Sequence, residues 1–193
     1  MNKILKGFQL TTLGACLTLA LTTGVITTAA SAATNVDEIR AAQAAKISLK
    51  QAISIASKKA SGILISADFD EDDSDAVGKD GVYKLEFSTD SVNYEIKVDA
   101  NTGKIVKTET DRLEGDDIND YKAQKKAKTD IMTAINIAEK QTGGKIVEIE
   151  FENDRDYANH TTYYKADLLK DNKIISINVD ANTGKTFANK FKK

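Results

Sequence analysis

Two stretches of the chain run through the same order of apolar and polar positions. In the first, Leu49, Ala52, Ile53, Ala56 and Ala60 recur at helical spacing and give a short helix one apolar stripe. Ser48 precedes the stripe and Gln51 follows three residues later. This is the spacing of a capping box, in which each side chain satisfies a backbone N–H that the helix leaves free. Gly62 is expected to stop the helix as the residue just past its end. Ile63, Ile65, Ala67 and Phe69 then alternate with polar residues, followed by Tyr83, Leu85 and Phe87, then Tyr94, Ile96 and Val98. Ile105 opens a fourth, short strand. Period-two alternation places the apolar side chains of each strand on one face, so an antiparallel sheet covered on one side is predicted. The helix is the only available cover.

The second stretch repeats this order. Asp130 takes the helix cap, Ile131, Ala134, Ile135 and Ala138 carry the stripe, and Gly143-Gly144 ends it. The strands are marked by Val147, Ile149 and Phe151, by Tyr164, Ala166 and Leu168, by Ile175, Ile177 and Val179, and finally by Phe187. The clearest identity is Val98-Asp99-Ala100-Asn101-Thr102-Gly103-Lys104, which recurs unchanged at 179–185. Asp99 and Asp180 are expected to start a turn that Asn101 and Asn182 help to fill. Gly103 and Gly184 supply the positive φ that lets the next strand return.

The predicted fold class is therefore α+β: two tandem modules, each one helix packed on a three- to four-stranded antiparallel β-sheet. The modules are expected at 48–110 and 129–193, with a spacer at 33–47 and a linker at 111–128. The spacer is Ala-rich and helix-prone. The linker starts acidic, ends basic, and reads as a solvated connector, partly helical after Asp117. A module of about 60 residues buries only about 60% of its unfolded surface, so the two are expected to lean on each other. The patterning does not say how.

Residues 1–32 are of another kind. Lys3 and Lys6 precede an uncharged, apolar, Thr-rich run over 8–26, and Ala30-Ser31-Ala32 forms a small-x-small site. This reads as a secretory signal peptide cleaved after Ala32, with an uncleaved membrane anchor as the alternative. Leu13-Gly14-Ala15-Cys16 loosely resembles a lipoprotein cleavage box, but Leu17 to Leu21 continue the apolar run where a polar tether is expected. Cleavage after Ala32 leaves no cysteine, which fits a Gram-positive-like exterior and excludes disulfides and thiolate sites. It also takes the formal charge from −2 to −4, against a nucleic-acid partner. The product is expected to be secreted or wall-associated, meeting the membrane only through its signal peptide.

The order of capped helix, glycine stop, antiparallel strands and final Val-Asp-Ala-Asn-Thr-Gly-Lys turn resembles the PepSY domain, in two copies over 48–109 and 130–191. Such domains occur in propeptides of thermolysin-like secreted peptidases and as stand-alone exported proteins. The resemblance implies a role in restraining an extracellular peptidase, and it brings no catalytic residues. No peptidase domain lies within these 193 residues.

Candidate chemistry is sparse. His160 is the one histidine, so a two-histidine zinc site is impossible, and no Gly-x-Ser-x-Gly occurs. His160 is read as a solvated loop residue, and neither an enzyme nor a cofactor is predicted. The sharpest charge cluster holds Asp68, Asp70, Asp72, Asp73 and Asp75. The first three occupy positions one, three and five of an EF-hand loop, yet Asp73 stands where glycine is required and Lys79 where glutamate is required. These aspartates are weak calcium candidates. They motivate a second functional class, an envelope or cation-interacting accessory protein, beside the peptidase regulator. The basic end of the linker (Lys122, Lys125, Lys126, Lys128) could also meet an anionic wall polymer. Oligomeric state is not legible.

Overall fold

The computed structural model describes residues 29–76 and 81–189, with side chains from Val36 onward. The charged n-region, the apolar run and Cys16 lie outside the described residues. Ala30 and Ala32 fall in the backbone of the first helix, α1 (Ala29–Ala44).

Ser48 and Gln51 close the capping box of α2 (Leu49–Ala56): the Gln51 N–H donates to Ser48 Oγ at 3.3 Å, and the Ser48 N–H to Gln51 Oε1 at 2.8 Å. Leu49, Ala52, Ile53 and Ala56 are buried along its stripe. The helix stops earlier than the stripe predicts, with Ser57 still right-handed at the end. Gly62 therefore does not cap it. Gly62 has φ +99° and lies so close to the next hairpin that a Cβ would stand 2.1 Å from the Ser88 carbonyl oxygen. The glycine serves a close backbone approach rather than a helix end.

Four strands follow as a meander: β1 (Ile63–Asp70), β2 (Val82–Ser88), β3 (Val92–Asp99) and β4 (Ile105–Arg112). The fourth strand is longer than predicted and enters the expected linker. That linker then forms α3 (Asp117–Gln124), in which Tyr121 and Gln124 are buried. The second module repeats the plan with α4 (Ile131–Thr142), β5 (Lys145–Asn153), β6 (Thr162–Lys170), β7 (Lys173–Asp180) and β8 (Thr186–Ala188). Asp130 caps α4 by accepting from the Thr133 N–H at 2.8 Å, and Gly143 ends it at φ +73°.

The two meanders are one sheet. Its strand order is β4-β3-β2-β1-β5-β6-β7-β8, every neighbour antiparallel. The seam is short: Ser66 opposes Glu150, Ala67 opposes Ile149, and Asp68 opposes Glu148. In the repeat, 67 and 149 are equivalent positions. The seam is therefore a pseudo-two-fold contact with its axis on the Ala67–Ile149 pair, the geometry of an isologous dimer within one chain.

Both helices cover the same face. Lys50 of α2 reaches Glu139 of α4 at 2.6 Å, and the buried apolar residues of both modules form one cluster that includes Ala67 and Ile149, each fully buried. Beyond the three seam pairs, β1 and β5 turn to other partners. Gln124 of α3 donates its amide to the Leu64 carbonyl at 2.7 Å, and Glu139 accepts the Ile146 N–H at 3.2 Å. Side chains thus satisfy backbone groups that the short ladder leaves over. The reach across the seam is reciprocal. Gln43 of α1 bonds Asn172 in the β6–β7 turn, and Lys125 after α3 bonds Asp90 in the β2–β3 turn. Positions 43 and 125 are equivalent in the repeat, and each reaches a strand-to-strand turn of the other module.

Candidate interaction surface

The repeated turn motif anchors each helix to its sheet. Asp99 Oδ1 accepts from the Asn101 N–H at 3.3 Å, the Thr102 N–H at 2.7 Å and the Thr102 hydroxyl at 2.6 Å, and Gly103 follows at φ +69°. Asp180 repeats this with Asn182 and Thr183, and Gly184 has φ +67°. Between them Ala100 is fully buried, and its carbonyl accepts the N–H groups of Lys46 and Ile47. The Ala181 carbonyl accepts those of Lys128 and Thr129. The Tyr83 hydroxyl donates to the Ile47 carbonyl at 2.7 Å, and Tyr164 to that of Thr129 at 2.8 Å. Burial pushes both phenols up to about 12. These residues hold the segment just before each helix, a structural task.

The face of the sheet away from the helices carries the polar half of each strand. In module one the acidic loop folds onto it. Asp73 and Asp75 both accept from Lys97, at 2.8 and 2.7 Å, and Asp70 pairs with Lys84. Lys107 comes within 3.5 Å of Asp75. Burial alone would raise Asp73, but Lys97 holds it below the ordinary carboxylate range. The hydrogen bond from Lys97 holds Asp75 there as well. Asp72 contributes its N–H to Asp70 Oδ1 at 3.0 Å. Of the five calcium candidates, three are thus committed to lysines, and Asp68 stands apart in the middle of β1. Among the described residues no group of three or more His, Cys, Asp or Glu is arranged to hold a metal ion.

Asp68 lies at the seam, where its cross-strand partner is Glu148 and Lys84 opposes it on the other side. Burial, then the Glu148 charge, pushes its carboxyl well above the usual range. Burial raises Glu150 too, and it brings Glu152, next to Glu150 and Asp154, up to about 7. Lys165 offsets part of this charge, 2.9 Å from Glu148 and 3.8 Å from Glu150. The alternation of the strands marks these residues as one face, but it does not reveal that two modules put their carboxylates side by side.

Module two covers its polar face with aromatic rings. Tyr157, Tyr163 and Phe187 pack edge to face, and the Tyr163 hydroxyl donates to Asp154 at 3.0 Å. His160 is not a free loop residue: its Nδ1 lies 2.7 Å from Asp180 Oδ2, and its ring stacks on Phe187 at 4.0 Å. Asp180 already belongs to the turn, so the histidine is a brace between the loop and the turn. A single histidine with no sequence neighbour of obvious use gave no hint of this contact. Asn178, fully buried opposite Lys165 and Phe187, has neither amide atom hydrogen-bonded.

The outer strands are unequal. β8 has three residues, whereas β4 has eight, pairs among the described residues only with β3, and is exposed over most of its second half. No helix among the described residues is long and apolar enough to cross a membrane.

A crystal structure of a candidate lipoprotein from Clostridium difficile 630 matches at 26% identity and TM-score 0.42, over 74% of this chain and 91% of that one. No curated protein matches. The family model described as the peptidase propeptide and YPEB domain, PepSY, matches residues 46–109 and 133–188. These are the two modules, and together they make up more than half of the sequence, so the chain belongs to the PepSY family and carries its domain twice.

Proposed function

We propose that this chain is an exported, non-enzymatic binding protein that restrains an extracellular peptidase. The observation that carries the reading is the match of both modules to a peptidase-propeptide domain. The signal-peptide pattern of residues 1–32 supports export. The polar inventory supports a binding role. His160 is occupied by Asp180 and Phe187, and no serine or threonine hydroxyl bonds to it among the described residues. The acidic loop is neutralised by Lys84, Lys97 and Lys107, which favours a peptidase partner over a cation. Contact would use a sheet edge, since an extended segment of a partner adds to an edge by main-chain hydrogen bonds.

The test is to titrate the purified chain into each secreted peptidase of its source while following cleavage of a peptide substrate. A saturable loss of rate with at least one of them is expected. If none is bound and none is slowed, the proposal is wrong.

A further inference from the structure

The free edge of β4 has a property that its neighbour strands do not need. On the polar face it presents Lys107, Glu109 and Asp111, and on the helix face Thr108 and Thr110. The chain already joins its modules edge to edge about a two-fold axis that passes through one pair of equivalent residues. A second copy could join β4 to β4 in the same way. A two-fold axis perpendicular to the sheet keeps the helices of both copies on one face. It must therefore pass through a residue paired with itself.

Four such registers centre on the middle of the strand. Centring on Lys107 sets two lysines against each other, and centring on Glu109 sets two glutamates against each other between two Lys107–Asp111 pairs. Centring on Thr110 puts Glu109 opposite Asp111 twice. Centring on Thr108 puts Lys107 opposite Glu109 of the second copy twice, with Thr108 against Thr108 between them. Opposite charges and paired threonines directly across an antiparallel ladder are favourable, and like charges are unfavourable. Lys107 and Glu109 already attract each other at 3.0 Å within the strand, so their charges are placed to exchange partners. β4 bulges between Ile105 and Lys107, so the regular ladder would set Lys107, Thr108 and Glu109 against Glu109, Thr108 and Lys107, three pairs like the seam inside the chain.

From this self-complementary order of charges we infer that the chain forms a two-fold homodimer through β4, centred on Thr108, in which two eight-stranded sheets become one. The inference does not depend on the peptidase reading. Charges on an edge ordinarily deter pairing. Here the Thr108 register alone gives opposite-charge pairs with no like-charge pair inside the strand.

Sedimentation velocity on the full chain and on residues 33–193 tests it, with Lys107→Glu and Glu109→Lys beside the wild type. Both positions are partly exposed, and circular dichroism checks that each variant stays folded. The wild type should dimerise reversibly below about 100 μM. Each single variant, which sets like charges opposite each other twice, should need a concentration about tenfold higher or more. An equimolar mixture of the two variants restores both pairs, so it should dimerise as the wild type does. A wild type that stays monomeric throughout, a dimer indifferent to both substitutions, or a mixture no better than either variant would overturn the inference.

Discussion

Gly103 and Gly184 each follow the aspartate, asparagine and threonine of an identical heptapeptide turn. Both glycines sit at positive φ with an isoleucine close by, Ile55 at 3.2 Å from a Cβ built on Gly103 and Ile137 at 3.3 Å from one on Gly184. Valine at either site meets backbone strain and a packed neighbour, so Gly103→Val and Gly184→Val should each cost about 1–3 kcal/mol in urea denaturation. The carboxylates at the seam were not legible, because burial shifts them and Asp68 meets Glu148 only across the seam. Burial raises Glu152 from 4.5 to about 7 in the folded chain. The folded state then holds a proton that the unfolded state has released between those values, so this group's contribution to stability falls as pH rises through that window. Asp73, Asp75 and Asp180 are lowered and act oppositely, with stability lost as pH falls through and below the ordinary aspartate range. Glu152→Gln should raise the Tm at pH 8 and flatten the decline between pH 4.5 and 7. An unchanged slope would show that Glu152 is not the group responsible.

At the scale of elements, caps, periodicity and the repeat marked the start of both major helices and the position of eight strands. Where reading failed, a tertiary demand had won. Gly62 looked like a helix stop but answers to the Ser88 carbonyl, and Ala60 looked like part of a stripe that ends at Ala56. The segment read as a solvated connector carries two buried polar side chains, Tyr121 and Gln124, which no periodicity flags. Each helix start hangs on one tyrosine and one alanine carbonyl. Tyr83→Phe and Tyr164→Phe remove the hydroxyl donor to Ile47 and Thr129, and each should cost about 1 kcal/mol, more at the fully buried Tyr164. Equal and negligible losses in thermal denaturation would show that the helix starts are held by the turn carbonyls alone.

For the whole molecule, the sequence showed two modules and hid that they share a sheet. Three residue pairs with ordinary strand composition leave no signature, and the apolar alternation of β1 and β5 would look the same at a free edge. The shared core and the reciprocal crossings from Gln43 and Lys125 imply that neither module unfolds alone. Calorimetry should therefore give one transition whose van't Hoff and calorimetric enthalpies agree. Ile149→Asp, which buries a charge on the pseudo-two-fold axis, should broaden or split it. Fusing two modules leaves the long edge at β4 as a surface open to a partner.

The most direct test of the peptidase-binding claim is capture from the source organism's culture supernatant and wall extract with the chain as bait, read by quantitative mass spectrometry. Enrichment of a secreted peptidase, lost when the bait is unfolded, is the predicted result. Enrichment of wall proteins or polymer with no peptidase among the captured species would contradict the account.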